Sequence, residues 1–145
     1  MSFEDWVKNS WLDPHQSSRE EIGNLLGIVE RDLKDSQSKD VSNDWRFAIA
    51  YNAALQAATA ALAAAGYRAS RDSHHYRVIQ SLSLTLGKSA AFIRSFDAFR
   101  KKRNVSNYDI GGGVADRELQ EMTAIAESLH QEVESWIRAK HASLV

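Results

Sequence analysis

Between Ala48 and Ala65, eleven of eighteen residues are alanine. No other feature constrains the fold as strongly. Alanine loses no side-chain entropy in a helix and has the highest helix propensity of any residue. A run this rich in alanine also presents a thin surface on every side, so neighbouring helices can approach closely. The run therefore predicts the central helix of a helical bundle. Ser42 supplies a plausible N-cap and Asp44 suits the first turn, where the helix dipole favours negative charge. Gly66 stands where a left-handed C-cap ends the helix. Pro14 is the single proline in 145 residues, which again fits an all-α chain.

The other helices follow from apolar spacing and from their stops. Ser18-Arg19-Glu20-Glu21 has the spacing of a capping box. Ile22, Leu25, Leu26, Val29 and Leu33 continue it as a helix over 19–36, before a polar linker to Asp40. His75, Val78, Ile79, Leu82 and Leu86 predict a helix over 73–86, broken at Gly87. Phe92, Ile93, Phe96 and Phe99 form a stripe on a helix over 89–103. After the Gly111-Gly112-Gly113 turn, Leu119, Met122, Ala126, Leu129, Val133 and Trp136 alternate steps of three and four along a helix over 116–142. There is no internal repeat and no strand-like alternation. The expected fold is an all-α, up-and-down bundle of five main helices. Residues 18–145 form its one domain, and residues 1–17, carrying Trp6, Trp11 and Pro14, are an irregular or short helical segment packed onto the body.

Several function classes are excluded or disfavoured at once. With no cysteine there is no disulfide, thiolate metal site or cysteine nucleophile; the same absence fits a reducing, cytoplasmic setting. A net charge of -1 gives no whole-molecule attraction to nucleic acid or anionic lipid, so any such role needs a local patch. The alanine run reads as too short, and too interrupted by Asn52, Gln56 and Thr59, to span a membrane. No metal or cofactor is expected: His74 and His75 diverge as helix neighbours, and His130 and His141 read as lacking carboxylates at ligand spacing. No serine stands in a nucleophile-elbow context, and the triple glycine lacks the Lys-Ser/Thr of a phosphate loop.

The functional signal is concentrated in Phe99-Arg100-Lys101-Lys102-Arg103-Asn104-Val105-Ser106-Asn107-Tyr108-Asp109. If the helix continues, Arg100, Arg103, Asn104, Asn107 and Tyr108 share one face, being linked by steps of three and four. Arginine offers a planar donor fork that matches phosphate. Asparagine can bond a base edge or orient a neighbouring arginine, and tyrosine adds a stacking plane and a hydroxyl. Together these suit nucleotide or RNA-backbone recognition. A plainer reading is that the cations offset the negative end of the helix dipole in a last turn, with Asn as C-cap. Arg68, Arg71 and Arg77 extend a basic surface if the turn before the 73–86 helix lies nearby.

Arg103-Asn104-Val105-Ser106-Asn107-Tyr108-Asp109, late in the fourth helix of an alanine-rich chain, resembles HEPN domains (higher eukaryotes and prokaryotes nucleotide-binding). Tyr51-Asn52-Ala53-Ala54, Gly66-Tyr67 and His74-His75-Tyr76 are similar in order and spacing, and the likeness covers roughly residues 18–140. In ribonuclease members of that family an arginine and a polar residue precede a histidine, and two subunits face one cleft. The resemblance implies acid-base work by that histidine and phosphate binding by the arginine. Here Arg103 and Asn104 are kept, and Tyr108 occupies the histidine position. Tyrosine titrates at about 10 and is a poor base at neutral pH. The resemblance thus implies a Tyr-bearing variant: a phosphate-contacting module, homodimeric, acting with a nucleotidyltransferase in a toxin-antitoxin-like pair. Arg103 would contact phosphate, Asn104 orient it and Tyr108 stack. The alternatives are a metal-independent ribonuclease, in which Tyr108 or a histidine from elsewhere replaces the missing one with Arg103, and a purely structural interaction protein.

Overall fold

The computed structural model describes residues 2–108 and 113–145, with the side chains of 105–108 excepted. Its elements, in chain order, are α1 (Phe3–Lys8), β1 (Leu12–Pro14), α2 (Arg19–Asp35), α3 (Asn43–Ala64), β2 (Tyr67–Ala69), α4 (His74–Thr85), α5 (Ala90–Tyr108), α6 (Asp116–Lys140) and a 3-10 turn at Ala142–Leu144. The all-α bundle expected from the sequence is the fold observed. The triple-glycine turn falls partly on Gly111 and Gly112, which lie outside the described residues.

α3 is the axis of the molecule. It packs against α2, α4, α5 and α6, and fourteen of its 22 residues are buried. A helix buried on all sides needs small residues wherever a partner approaches, and alanine supplies them. Ser42 caps its start, accepting from the Trp45 N–H. Gly66 leaves its end at φ +99°, in the region open to glycine. At 22 residues α3 is, contrary to the sequence reading, long and apolar enough to cross a membrane; its most apolar stretch is nevertheless 78% buried against the rest of the chain.

α6 closes the bundle with Leu119, Met122, Ala126, Leu129 and Val133 inward, as the spacing predicts. The last inward residue is Ile137 rather than Trp136, which is half-buried against His141. Of the α5 stripe only Phe96 is fully buried, edge-on to Tyr51, while Phe99 packs edge-on to Phe47. At the start of α2, Ser18 caps the Glu21 N–H. The Glu21 carboxylate does not close the capping box; it turns out to bond His15 at 2.7 and 2.8 Å.

Two further expectations are corrected. The first is the absence of strands: β1 and β2 form a small antiparallel ladder in the register Leu12↔Ala69, Asp13↔Arg68 and Pro14↔Tyr67. Three-residue strands are too short for alternation to show. This ladder ties the N-terminal segment down, with Trp6 and Leu12 in the common core, Phe3 stacked on Tyr67 and the Arg77 guanidinium 3.7 Å from the Trp11 ring centre. The second is the end of the fourth main helix. α5 does not stop at Arg103 but runs to Tyr108. Arg100–Arg103 are therefore interior to the helix, and the dipole-offset reading of that basic run loses its premise.

Candidate functional site

α4 and α5 form a helical hairpin across Gly87, which adopts φ +69°. The hairpin brings the start of α4 against the later part of α5. Between them lies a cleft of ≈ 580 Å³ lined by Ser73, His74, His75, Tyr76, Asp97, Arg100, Lys101 and Asn104. Arg100 and Asn104, on the face expected from helical spacing, thus reach one cleft. Arg103 stands beside it, its guanidinium 5.8 Å from the Tyr51 ring centre. Its Nη1 donates to Asn104 Oδ1 at 3.3 Å. The buried Arg103 Nε has no hydrogen-bond partner among the described residues. The side chains of Asn107 and Tyr108 lie outside the described residues.

The α4 wall was not assembled by sequence reasoning. Ser73, the residue before the helix, sits in the left-handed region at φ +55°. That conformation costs a non-glycine residue energy, and such strain concentrates where backbone must aim side chains. The next three residues are the cleft-lining His74, His75 and Tyr76. Tyr76 lies under the Arg100 guanidinium, 5.7 Å from ring centre to carbon, and its hydroxyl accepts from Gln80. His75 Nδ1 is 3.3 Å from the Tyr51 hydroxyl.

The electrostatics of this group are specific. Burial pushes the Tyr51 hydroxyl up to about 12, against the opposing pull of Arg100 and Arg103. Burial first, then the charges of His74, Arg103 and Arg100, hold His75 below its ordinary value of 6.5. At neutral pH Tyr51 is protonated and His75 uncharged. The consistent assignment has the hydroxyl donating to Nδ1 and the ring proton on Nε2. Among the described residues, Asp97 is the one acid in the cleft lining. It accepts from Arg100 Nε at 2.6 Å and stands 3.6 Å from Lys101 Nζ. Lys102 points away to Glu118.

Chemically, the cleft offers two permanent cations, an uncharged imidazole, an amide and a phenol plane. That set suits an anionic, planar ligand. Arg77 does not join it, since it covers Trp11 and bonds Gln80; Arg68 and Arg71 are exposed and do not line it. One further sequence expectation is corrected. His130 does have carboxylates near it: Glu134 one turn along α6 and Glu30 on α2, each with an oxygen 3.5 Å from Nε2.

Comparison with protein-family models, with curated proteins and with solved structures finds no match for this chain.

Proposed function

We propose that the protein is a HEPN-like module that binds a phosphate-bearing ligand, a nucleotide or single-stranded RNA, in the α4–α5 cleft. The observation that carries this reading is the convergence of Arg100, Lys101 and Asn104 from one helix with His74, His75 and Tyr76 from the other on a single cleft. In this reading Arg100 and Lys101 hold phosphate, Tyr76 offers a stacking plane, and Arg103 acts from behind through Asn104. The resemblance to HEPN domains supports the same ligand class. It also supports action as a homodimer and with a nucleotidyltransferase partner.

The test is fluorescence anisotropy with labelled single-stranded RNA, at about 50 and about 200 mM salt. Binding should weaken with salt, and Arg100→Ala should weaken it further while flattening the salt slope by about 0.7, the share of one phosphate contact on a single strand. Salt-independent binding, or none, favours the purely structural interaction protein.

One observation favours a second reading, a metal-independent ribonuclease. His75, uncharged at neutral pH and beside Arg100 and Arg103, supports the reading that a histidine from elsewhere serves in place of the one the motif lacks. Labelled RNA incubated with chelator decides it: cleavage that disappears in His75→Ala supports the enzyme, and intact RNA with binding retained supports the module.

A further inference from the structure

We propose that Glu30, His130 and Glu134 form a binding site for one divalent transition-metal ion, of the zinc class, at the α2–α6 contact. His130 and Glu134 are one turn apart on α6, and Glu30 reaches across from α2; their donor atoms all lie within 4.8 Å of one another. His130 Nε2 is buried and makes no hydrogen bond among the described residues. It stands 3.5 Å from Glu30 Oε1 and 3.5 Å from Glu134 Oε1.

The distance carries the argument. A hydrogen bond to a carboxylate closes to about 2.7–3.2 Å, and the chain has an internal example, His15 against Glu21 at 2.7 and 2.8 Å. His130 stands off from both of its carboxylates by the same longer amount. Two ligands on a tetrahedral ion, each bonded at about 2.0–2.1 Å, are separated by about 3.4 Å, close to the spacing seen here. The ring nitrogen thus sits near that separation from each carboxylate, and since the three donor atoms lie within 4.8 Å of one another, the two glutamate side chains would draw together around a shared ion. An imidazole with two carboxylates suits zinc-like ions, whereas calcium and magnesium take oxygen ligands. Two carboxylates also match a dication in charge. Glu30 is the exposed member, with a side chain 60% accessible, so the ion would enter from that side and keep its fourth position for water.

The experiment is isothermal titration of the full chain with zinc after chelator treatment, with thermal melting in parallel. The expected result is saturable binding of one ion per chain and a melting temperature that rises with zinc, because an ion that binds only the folded state stabilises it. His130→Ala should weaken zinc binding by more than about tenfold and abolish the rise, since lost ligand-shell groups cost affinity on that scale. Glu30→Gln, at an exposed position that leaves the fold intact, should weaken it in the same direction. His75→Ala should bind zinc like the parent, which keeps this site separate from the RNA cleft. No saturable heat overturns the proposal, and so does zinc affinity that is unchanged in both His130→Ala and Glu30→Gln.

Discussion

Asp97→Asn gives the sharpest test of the cleft, because the anion-site reading predicts a gain of binding. Asp97 is 14% exposed and holds its charge against Arg100 at 2.6 Å and Lys101 at 3.6 Å. Asparagine keeps an oxygen to accept from Arg100 Nε, so the arginine stays oriented, while the opposing charge disappears. A phosphate on the outer nitrogens of the Arg100 guanidinium, whose Nε is 2.6 Å from Asp97 Oδ1, would stand on the order of 6 Å from that carboxylate. One unit charge there is worth roughly 0.7 kcal/mol at the dielectric of water and roughly 2.8 kcal/mol at an effective value of about 20. Asp97 lies at the wall of an open cleft, so a figure of about 1 kcal/mol fits, a gain of about fivefold in affinity. The cost to folding is the loss of a partly exposed ion pair, at most about 1 kcal/mol, or a melting temperature lower by about 2–4 °C. The assay is RNA anisotropy at low salt, with circular dichroism to confirm the fold. Unchanged or weaker binding by a folded Asp97→Asn protein would refute the reasoning.

Three further outcomes are expected. Because His75 is held below 6.5 in the folded state, the unfolded chain binds more protons between those two values. Stability should therefore rise with pH through that window, level off above 6.5 and fall on acidification; melting curves across it should show a smaller rise in His75→Gln. Gly66→Ala places a side chain at φ +99° and should cost about 1–2 kcal/mol, whereas Gly23→Ala, inside α2 with open space at its Cβ, should gain about 0.5–1 kcal/mol; urea unfolding reads both. Ala57→Leu adds three carbons at a position with no exposed surface and should cost on the order of 1–3 kcal/mol by overpacking, seen as a lower melting temperature.

Much of the bundle was legible in the chain. The starts of α2, α3 and α6 follow from hydroxyl or acidic first turns and from apolar spacing, and the stops after α3 and α4 from Gly66 and Gly87. What was missed had no local signal. The β1–β2 pair is two three-residue strands held to each other across more than fifty residues of chain, so neither carries a pattern of its own. Trp136 and Ile137 are both apolar, and only the direction from which α3 meets α6 decides which one is inward. The extension of α5 through Asn104 was readable only as a condition, since Arg-Lys-Lys-Arg serves equally in a last turn or in mid-helix.

The candidate site divides the same way. Sequence alone placed Arg100, Arg103 and Asn104 on one face on the condition that the helix continues, because helical spacing is a property of one stretch of chain. It also determined that α3 would be central, because alanine at that density fits little else. Only the tertiary structure decided what faces them. His75 stands twelve residues before Gly87, and Arg100 twelve after Lys88, so a hairpin folded at that turn sets them opposite one another. Likewise Tyr51 meets His75, and Glu30 meets His130, across helix contacts that no spacing encodes. Periodicity fixes a residue's position around its own helix axis. Partners on other helices are fixed by how thin side chains let those axes approach, and that is settled only when the whole core packs.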